Sequence, residues 1–364
     1  MKTYRNLYKR ICEIESIELA YMKARRGKSK KQPVIEFDKN TKENLLQLQK
    51  ELIEMKYHPK SLKRFIVRDP KTRTIHASDF RDRIVHHLIV AALELIFEGI
   101  FIYDSYASRK NKGVHAAVAR FEQFMRKVSQ NGRVIRGWGR TMPENKNNVQ
   151  GYVFKADIFH YFDNVDHDAL INIIEKKVND DKLIWLIRKV LNNFSGNVKG
   201  KGMPLGNYTS QFFANVYLNE LDYFIKHELK AKYYIRYVDD FVILHRSKNR
   251  LEYFRKKIMA FLREIKLELH PEKSNIIPFQ KGIAFLGYRI FYHYRHLRKR
   301  NQKHFLRKFD KYFQMYKQNI ISDEQLFAIM QGWFGYAQWA NTHNLREKIK
   351  RQIIGSILDR VEFE

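Results

Sequence analysis

The sequence is poor in cysteine, in acidic side chains and in long apolar runs. Cys12 is the one cysteine of 364 residues, which excludes an internal disulfide framework and a zinc site built from cysteines. The most apolar stretch, residues 88–103, is interrupted by Glu94 and Glu98 and is too short to cross a membrane. The first residues carry no apolar signal segment. We therefore expect a cytoplasmic protein without a membrane partner.

The shortage of acid leaves a large positive charge. The chain has 69 Lys and Arg against 39 Asp and Glu, a net charge of +30, which is typical of proteins that follow a phosphate backbone. Residues 23–31 hold six basic side chains and no acid, and residues 289–317 hold ten against one. An anionic membrane could also attract such a chain, but its 21 Tyr, 26 Phe and 4 Trp suit stacking on bases better. The candidate nucleic-acid contacts are Arg25, Arg26, Lys28, Arg298, Lys299, Arg300 and Lys303.

Strand and helix patterns alternate between residues 151 and 292, and helical patterns dominate before and after this region. Strands separated by helices give a sheet that is covered on one face and open on the other. The pattern therefore predicts an α+β fold, in which the open face is the place for metal ions and nucleic acid.

Two adjacent carboxylates stand in the middle of an apolar, β-forming stretch, YYIRYVDDFVIL at residues 233–244. Asp239 and Asp240 could simply form a hairpin turn, because Asp tolerates turn geometry. A turn needs only one polar residue, however, and two carboxylates side by side repel each other unless a cation neutralises them. Asp157 ends another apolar segment. If the two strands are neighbours, the carboxylates meet at one sheet edge and can hold two divalent ions for phosphoryl transfer.

These carboxylates carry a family resemblance. Residues 237–240, Tyr-Val-Asp-Asp, resemble the Tyr-x-Asp-Asp box of reverse transcriptases, and Asp157 with Phe162 resembles the first palm motif of that superfamily. The resemblance implies two Mg²⁺ ions, with Mn²⁺ as a substitute, and oxygen-only ligands suit Mg²⁺. It also implies that Phe162 is a steric gate against the ribonucleotide 2′-hydroxyl. The implied metal positions are Asp157, Ile158, Asp239 and Asp240.

Further motifs follow in the order of the same family. Residues 68–89 resemble the first fingers motif, in which Arg73 and Lys71 would contact the triphosphate of the incoming nucleotide. Residues 269–274, LHPEKS, resemble the fourth palm motif, which makes Lys273 the candidate general acid for pyrophosphate. The sequence FLGY resembles the hairpin that grips the primer end. The residues of this candidate primer grip are Phe285, Leu286, Gly287 and Tyr288.

The resemblance implies a right-hand polymerase with fingers, palm and thumb. We expect the fingers in residues 1–150, a palm with an antiparallel sheet backed by helices in residues 151–292, and a helical, basic thumb in residues 293–364. The chain is expected to re-enter the fingers around residues 175–205. The implied catalytic residues are Asp157, Asp239, Asp240 and Lys273.

The stretch LGNYTSQ, Leu205 to Gln211, distinguishes among reverse transcriptases. The corresponding motif of retroviral and group II intron enzymes usually begins with Gln-Gly and ends in Ser-Pro. An aliphatic start and a terminal Gln resemble the enzymes of diversity-generating retroelements, as do residues 105–115 and 70–75. An amide at position 205 could hydrogen-bond the substrate, whereas Leu205 can only fill space, so we expect low fidelity. The candidate nucleotide contacts are Lys71, Arg73, Phe162, Leu205, Gly206, Ser210 and Gln211.

This resemblance implies an RNA-directed DNA polymerase that copies a template-repeat RNA into cDNA with errors at adenine and so diversifies a target gene. The implied partners are the template RNA, the cDNA–RNA duplex, deoxynucleotides and a small basic accessory protein that forms a ring. The alternative is a retron-, group II intron-like or defence-associated reverse transcriptase with a faithful product, although the Val-Thr-Gly signature of retrons is absent. A non-catalytic RNA-binding scaffold would lack at least one metal ligand, and all are present.

Overall fold

The computed structural model describes residues 3–68, 72–133, 149–194, 196 and 198–361. Within these ranges the chain mixes helices and strands, so the predicted α+β class is confirmed. Helices α1 to α7 span Leu7–Ile11, Ile14–Arg25, Gln32–Asp38, Thr41–Ile53, Phe80–Phe97, Val114–Val128 and Tyr161–Asn164. Helices α8 to α14 span His167–Glu175, Asp181–Asn192, Tyr208–Tyr223, Lys248–Glu264, Lys299–Lys317, Asp323–Ala337 and His343–Val361.

The strands form three sheets within the described part of the chain. Strands β1 to β9 span Lys63–Val67, Arg73–Ala77, Tyr152–Asp157, Tyr234–Tyr237, Asp240–His245, Asn275–Pro278, Ile283–Phe285, Tyr288–Ile290 and Arg295–Leu297. The central sheet has the order β4-β5-β3-β6, so β3 lies beside β5. The pairs β1–β2, β4–β5, β7–β8 and β8–β9 are antiparallel. The predicted hairpins at residues 237–240 and 285–288 are both confirmed.

The central strands form because their apolar residues can be buried on both faces. In β3, Val153, Phe154 and Ala156 are fully buried, and in β5 the run Phe241–Leu244 is buried as well. Strands buried on both faces read as continuous apolar runs instead of alternating ones. The structure places Asp157 and Asp240 at the ends of these strands, outside the buried apolar runs.

The chain divides into two compact units. The first comprises Met1–Gly113, Lys155–Ile243 and Glu252–Asn275, and the second comprises Val114–Phe154, Leu244–Leu251 and Ile276–Glu364. Three of the unit boundaries fall inside β3, β5 and β6, one falls inside α11 and one directly before α6. The assignment of fingers, palm and thumb to residue ranges stays a prediction.

The tail expected to be helical begins with a strand. Residues 295–297 form β9, because they supply the hydrogen-bond partners that β8 would otherwise lack on that edge. The helices α12 to α14 that follow have an aromatic core of their own, in which the Trp333 ring stacks on Phe305 with centroids 3.7 Å apart. In the described part of the chain, no helix is both long and apolar enough to cross a membrane.

Gly151, directly before β3, fits only as glycine. Its φ is +133°, and its carbonyl accepts a 3.0 Å hydrogen bond from the Phe279 N–H. A Cβ at this position would overlap the Phe279 ring. Gly113 has a similar φ of +127°, but a Cβ there would meet nothing within 4 Å. A comparison of alanine variants at the two glycines therefore distinguishes the cost of backbone strain from the cost of steric overlap.

We expect Gly151→Ala to destabilise the protein more than Gly113→Ala. Backbone strain lowers the free energy of unfolding by about 1–3 kcal/mol in both variants, and overpacking against Phe279 adds about 1–3 kcal/mol in Gly151→Ala alone. Urea unfolding of the two variants and the parent measures the difference. Equal urea midpoints for the two variants would contradict this expectation, because they would show that the Phe279 ring moves aside without a loss of stability.

Candidate active site

Strand β3 and the β4–β5 hairpin bring their carboxylates to neighbouring strand ends. Asp157 is the last residue of β3, and Asp240 is the first residue of β5, its neighbour in the sheet. The Ile158 N–H donates a 3.3 Å hydrogen bond to the Asp239 carbonyl, which fixes the hairpin turn against the end of β3. The backbone therefore brings together the strand ends that carry Asp157, Asp239 and Asp240, and the catalytic role of these residues stays a prediction.

The turn that presents the pair is strained. Val238 has a φ of +54°, and a β-branched residue in the left-handed region is a genuine outlier. Tyr237 and Asp240 are directly opposed across the hairpin, so Val238 and Asp239 make the two-residue connection. Turns that need positive φ normally use Gly, Asn or Asp.

The Asp239 carboxyl holds its proton more tightly than an ordinary carboxyl. Burial raises the pKa of Asp239 from 3.8 to about 6, and the neighbouring carboxylates of Asp240 and Asp157 add to the effect, while Lys273 opposes it. The pKa of Asp239 thus reports that all three acids share one electrostatic environment. Perturbed values of this kind are frequent at functional sites.

Two lysines face the carboxylates. Lys273 Nζ lies 3.6 Å from Asp157 Oδ2, and Lys155 Nζ lies 3.3 Å from Asp240 Oδ1. The position of Lys273 agrees with the sequence prediction that this residue belongs to the site. Lys155 was missed, although residues two apart on a strand share a face and Lys155 precedes Asp157 by two.

The donor set fits a hard divalent cation in its chemistry. Carboxylate and backbone oxygens are the ligands that Mg²⁺ takes, and Asp157, Asp239 and Asp240 supply them, with Ile158 beside them. Among the described residues, however, no group of three or more His, Cys, Asp or Glu is close enough to be ready for a metal ion. A bound cation would offset both the burial of Asp239 and the charge of its neighbouring carboxylates.

Phe162 is half-buried in the short helix α7, so it is not a core residue of the unit. Its carbonyl accepts a 2.7 Å hydrogen bond from the Met203 N–H, and Val165 accepts one of 2.8 Å from Gly202. These bonds hold the loop before α10 against α7. The structure therefore brings the predicted gate residue and the predicted nucleotide loop together.

The stretch from Leu205 to Gln211 contacts the β1–β2 hairpin and the segment before α6. The Leu205 carbonyl accepts a 3.1 Å hydrogen bond from the His76 N–H of β2. Gly206 has a φ of +108°, and a Cβ there would lie 2.7 Å from Ile75 Cγ2. Ser210 is buried in α10, whereas the exposed Gln211 Oε1 accepts a 3.2 Å hydrogen bond from Ser108 Oγ.

Arg73 is exposed at the start of β2, opposite Val67. Lys71 lies outside the described residues.

In the second unit, Leu286 and Gly287 form the β7–β8 turn with φ values of +43° and +92°. Phe285 and Tyr288 are buried beside the turn, and Tyr336 Oη donates a 2.9 Å hydrogen bond to the Gly287 carbonyl.

The predicted nucleic-acid contacts differ in their surroundings. Arg25 is already paired with Asp38, with Nε 2.8 Å from Oδ2. Arg26, Lys28, Arg300 and Lys303 are exposed. Arg298 and Lys299 line a cavity of about 940 Å³ in the second unit, and none of the residues described as lining it is acidic. The other basic residues and histidines around this cavity are Lys281, Arg289, His296 and His343.

A comparison of the sequence with known protein families assigns the chain to a family. The family described as reverse transcriptase (RNA-dependent DNA polymerase) matches residues 63–290. The chain belongs to the reverse transcriptase family. This matched region contains every predicted catalytic residue of the chain and both confirmed hairpins.

Several proteins are similar to this reverse transcriptase. Protein YkfC of Escherichia coli is 24% identical over 285 residues, which cover 67% of this chain and 70% of YkfC. The group II intron-encoded protein LtrA of Lactococcus lactis is 25% identical over 305 residues, covering 64% of this chain and 47% of LtrA. The apo telomerase of Candida tropicalis has a TM-score of 0.44 at 16% identity, covering 64% of this chain and 47% of telomerase. The chain thus spans about half of LtrA and of the telomerase.

Protonation of Asp239 links stability to pH. The folded reverse transcriptase binds a proton at Asp239 more tightly than the unfolded chain does, since the pKa rises from 3.8 to about 6. Ionisation therefore destabilises the fold, by an amount that grows between about pH 4 and pH 6 and is constant above. Below pH 4 the carboxyl is protonated in both states and the effect is absent.

We expect Asp239→Asn to raise the free energy of unfolding by roughly 1–3 kcal/mol at pH 7.5 in EDTA. The gain should vanish as the pH falls to about 4, because the parent residue is then neutral as well. Denaturant unfolding at several pH values measures it. Asp168→Asn is the control, since that carboxylate is 77% exposed and should change stability by less than about 0.5 kcal/mol. A stability loss in Asp239→Asn at pH 7.5 would contradict the electrostatic account.

Proposed function

We propose that the chain is an RNA-directed DNA polymerase that extends a DNA 3′ end along an RNA template. The observation that carries the proposal is the placement of Asp157, Asp239 and Asp240 at adjacent strand ends within the region that matches the reverse transcriptase family. Such a site suits in-line transfer of a nucleotidyl group with loss of pyrophosphate.

The roles follow from the positions of the side chains. Bound Mg²⁺, or Mn²⁺ as a substitute, would activate the primer 3′-hydroxyl and neutralise the triphosphate. Lys273, 3.6 Å from Asp157, donates a proton to the departing pyrophosphate. Arg73 binds the triphosphate as a charge-assisted donor. Phe162 occupies the space that a 2′-hydroxyl would need.

RNA binding rests on charge. A net charge of +30 and the cavity of the second unit, with basic residues and no described acid in its lining, suit a phosphate backbone. Release of condensed counterions drives such binding and makes it depend steeply on salt. The proposed partners are the template RNA, the RNA–cDNA duplex and deoxynucleotides.

Primer extension on an RNA template with deoxynucleotides and Mg²⁺ tests the function. We expect activity in the parent, and a loss of several orders of magnitude in Asp157→Asn and Asp239→Asn, because each removes a proposed metal ligand. The Asp168→Asn variant should extend primers like the parent, because Asp168 is exposed, pairs with Arg188 and is not among the proposed metal ligands. The measured quantity is the single-turnover rate at saturating nucleotide.

A folded parent that fails to extend any RNA-templated primer would overturn the proposal. Extension by Asp157→Asn at the parent rate would leave a polymerase but remove the carboxylate site. Binding of the primer–template, measured separately, should be unchanged in both aspartate variants, since neither residue belongs to the basic segments.

For the biological product we propose error-prone copying that diversifies a target gene, as in diversity-generating retroelements. The support is the motif from Leu205 to Gln211 together with the hydrogen bond from Ser108 to Gln211, which joins the two stretches that resemble that group. A small, basic, ring-forming accessory protein would then be a further partner. The similarity to LtrA favours a second candidate, a group II intron-like reverse transcriptase with a faithful product.

Leu205 is one of the two motif positions, with Gln211, at which these two candidates differ. Its carbonyl is fixed to β2, and its side chain offers no hydrogen bond to the nascent base pair. Discrimination by shape alone is worth about 1–3 kcal/mol, or 10–200-fold. An amide that reaches the substrate would add selectivity at this position.

Sequencing of cDNA made on a template with all four bases distinguishes the candidates. We expect frequent errors in the parent, concentrated at template adenine. Leu205→Gln should reduce them roughly fivefold, as about 1 kcal/mol of added discrimination requires. Leu205→Met is the matched control, because it changes shape without adding a donor. Equally low errors at every base in the parent, with cognate RNA and accessory protein supplied, would favour the intron-like candidate.

A further inference from the structure

A fully buried ion pair lies beneath the hairpin turn. Arg236 and Asp222 are both inaccessible to solvent, with Nε 2.8 Å from Oδ1 and Nη2 2.6 Å from Oδ2. Tyr234 Oη donates a 2.6 Å hydrogen bond to the same Oδ1. Burial alone would lower the pKa of Arg236, but the Asp222 carboxylate raises it above its ordinary value. The guanidinium is therefore charged and held in one orientation.

The remaining nitrogen of Arg236 points toward the turn. Its Nη1 donates to Asn215 Oδ1 at 2.9 Å and to the Val238 carbonyl at 3.3 Å. Asn215 is in turn fixed, because its Nδ2 donates a 2.8 Å hydrogen bond to the Ala107 carbonyl. One guanidinium thus connects the buried helix α10 to the peptide bond that links Val238 to Asp239.

The backbone of Arg236 is fixed as well. Its N–H donates to the Asp104 carbonyl and its carbonyl accepts from the Tyr106 N–H, both at 3.0 Å. The segment from Asp104 to Tyr106 therefore completes the outer edge of β4. Neither the main chain nor the side chain of Arg236 can shift without breaking several hydrogen bonds.

Stability alone does not explain this arrangement. Replacement of a buried ion pair by apolar residues is often neutral or stabilising, because desolvation opposes the attraction between the charges. The strained Val238, on the other hand, needs restraint from its surroundings, since such conformations persist only where the structure over-determines them. The Arg236 bond to the Val238 carbonyl, and the Ile158 bond to the Asp239 carbonyl, supply that restraint from two sides.

We propose that Arg236 is a positioning residue that holds the Val238 carbonyl and thereby sets where Asp239 and Asp240 point. The inference rests on the proposed function, because those carboxylates are the ones assigned to the metal-assisted step. It also explains the residue type. A planar guanidinium binds Asp222 through two nitrogens and still reaches two further acceptors, which a single lysine ammonium cannot do.

The test compares two variants of the same buried network. Arg236→Lys keeps a positive charge beside Asp222 but removes the bond to the Val238 carbonyl. Tyr234→Phe removes a hydrogen bond to Asp222 and leaves the Val238 carbonyl untouched. Mn²⁺ binding, followed by loss of the electron paramagnetic resonance signal of the free ion, is measured without primer or nucleotide. Single-turnover extension at varied Mg²⁺ is measured beside it.

We expect Arg236→Lys to weaken Mn²⁺ binding and slow extension by roughly 10- to 100-fold, as loss of a residue that orients metal ligands does. Tyr234→Phe should stay within about twofold of the parent, well below that range. Primer–template affinity should be the same in all three proteins. If Arg236→Lys matches the parent in both assays, or if Tyr234→Phe changes ion binding as much as Arg236→Lys does, the positioning role is overturned.

A triple variant covers the case in which Arg236→Lys does not fold. Asp222→Leu, Tyr234→Phe and Arg236→Met together replace the charged network by apolar side chains. This protein should fold and show the same weakened Mn²⁺ binding, whereas parent-like binding would overturn the inference.

The ion-binding assay also separates this inference from the proposed function. A parent that extends no primer, with Mn²⁺ binding that Arg236→Lys weakens selectively, removes the polymerase proposal and keeps the positioning role. If the parent is active and Arg236→Lys leaves its Mn²⁺ binding unchanged, the polymerase proposal is kept and the positioning role is removed. A parent that binds no Mn²⁺ at millimolar concentration removes the ion site, and the inference with it.

Discussion

Burial of neighbouring carboxylates at the strand ends is the constraint on which the site in the first unit depends. Asp157, Asp239 and Asp240 are held at adjacent strand ends, and the raised pKa of Asp239 records first its burial and then the nearness of the Asp240 and Asp157 carboxylates. Nothing in the local backbone would choose this arrangement. It persists because strands β3 and β5 are buried on both faces and cannot separate without exposing their apolar residues. The hydrophobic core thus supplies the free energy that keeps the acids together.

The two lysines of the site relieve the repulsion only in part. The side chains of Lys155 and Lys273 are 20% and 50% exposed, and ion pairs that water reaches are worth about 0–1 kcal/mol. These two lysine side chains can therefore leave their carboxylates at little cost in free energy. The pair between Arg236 and Asp222 has the opposite character, since water is excluded and the geometry is fixed. The site therefore combines two partly exposed lysines beside its carboxylates with a buried, fixed ion pair, Arg236–Asp222, next to the hairpin turn.

The sequence predicted the features that depend on a few consecutive residues. The hairpin at residues 237–240 and the strand that ends at Asp157 follow from apolar runs interrupted by carboxylates, and the hairpin at residues 285–288 follows from the family resemblance. Contacts between distant positions could not be predicted in this way. Arg236 and Asp222 are 14 residues apart, and Ser108 and Gln211 are 103 apart, and no periodicity connects such pairs. The first pair depends on how α10 lies beside β4, and the second on how α10 lies beside the segment before α6.

The hydrogen bond between His76 and Leu205 uses main-chain atoms at both ends. Its strength does not depend on which side chain occupies position 205, whereas a Cβ at the next position would meet Ile75. Mutation can therefore exchange one residue freely while its neighbour stays glycine. Evolution can thus vary the chemistry of position 205 while the main-chain contact between β2 and the loop before α10 is kept.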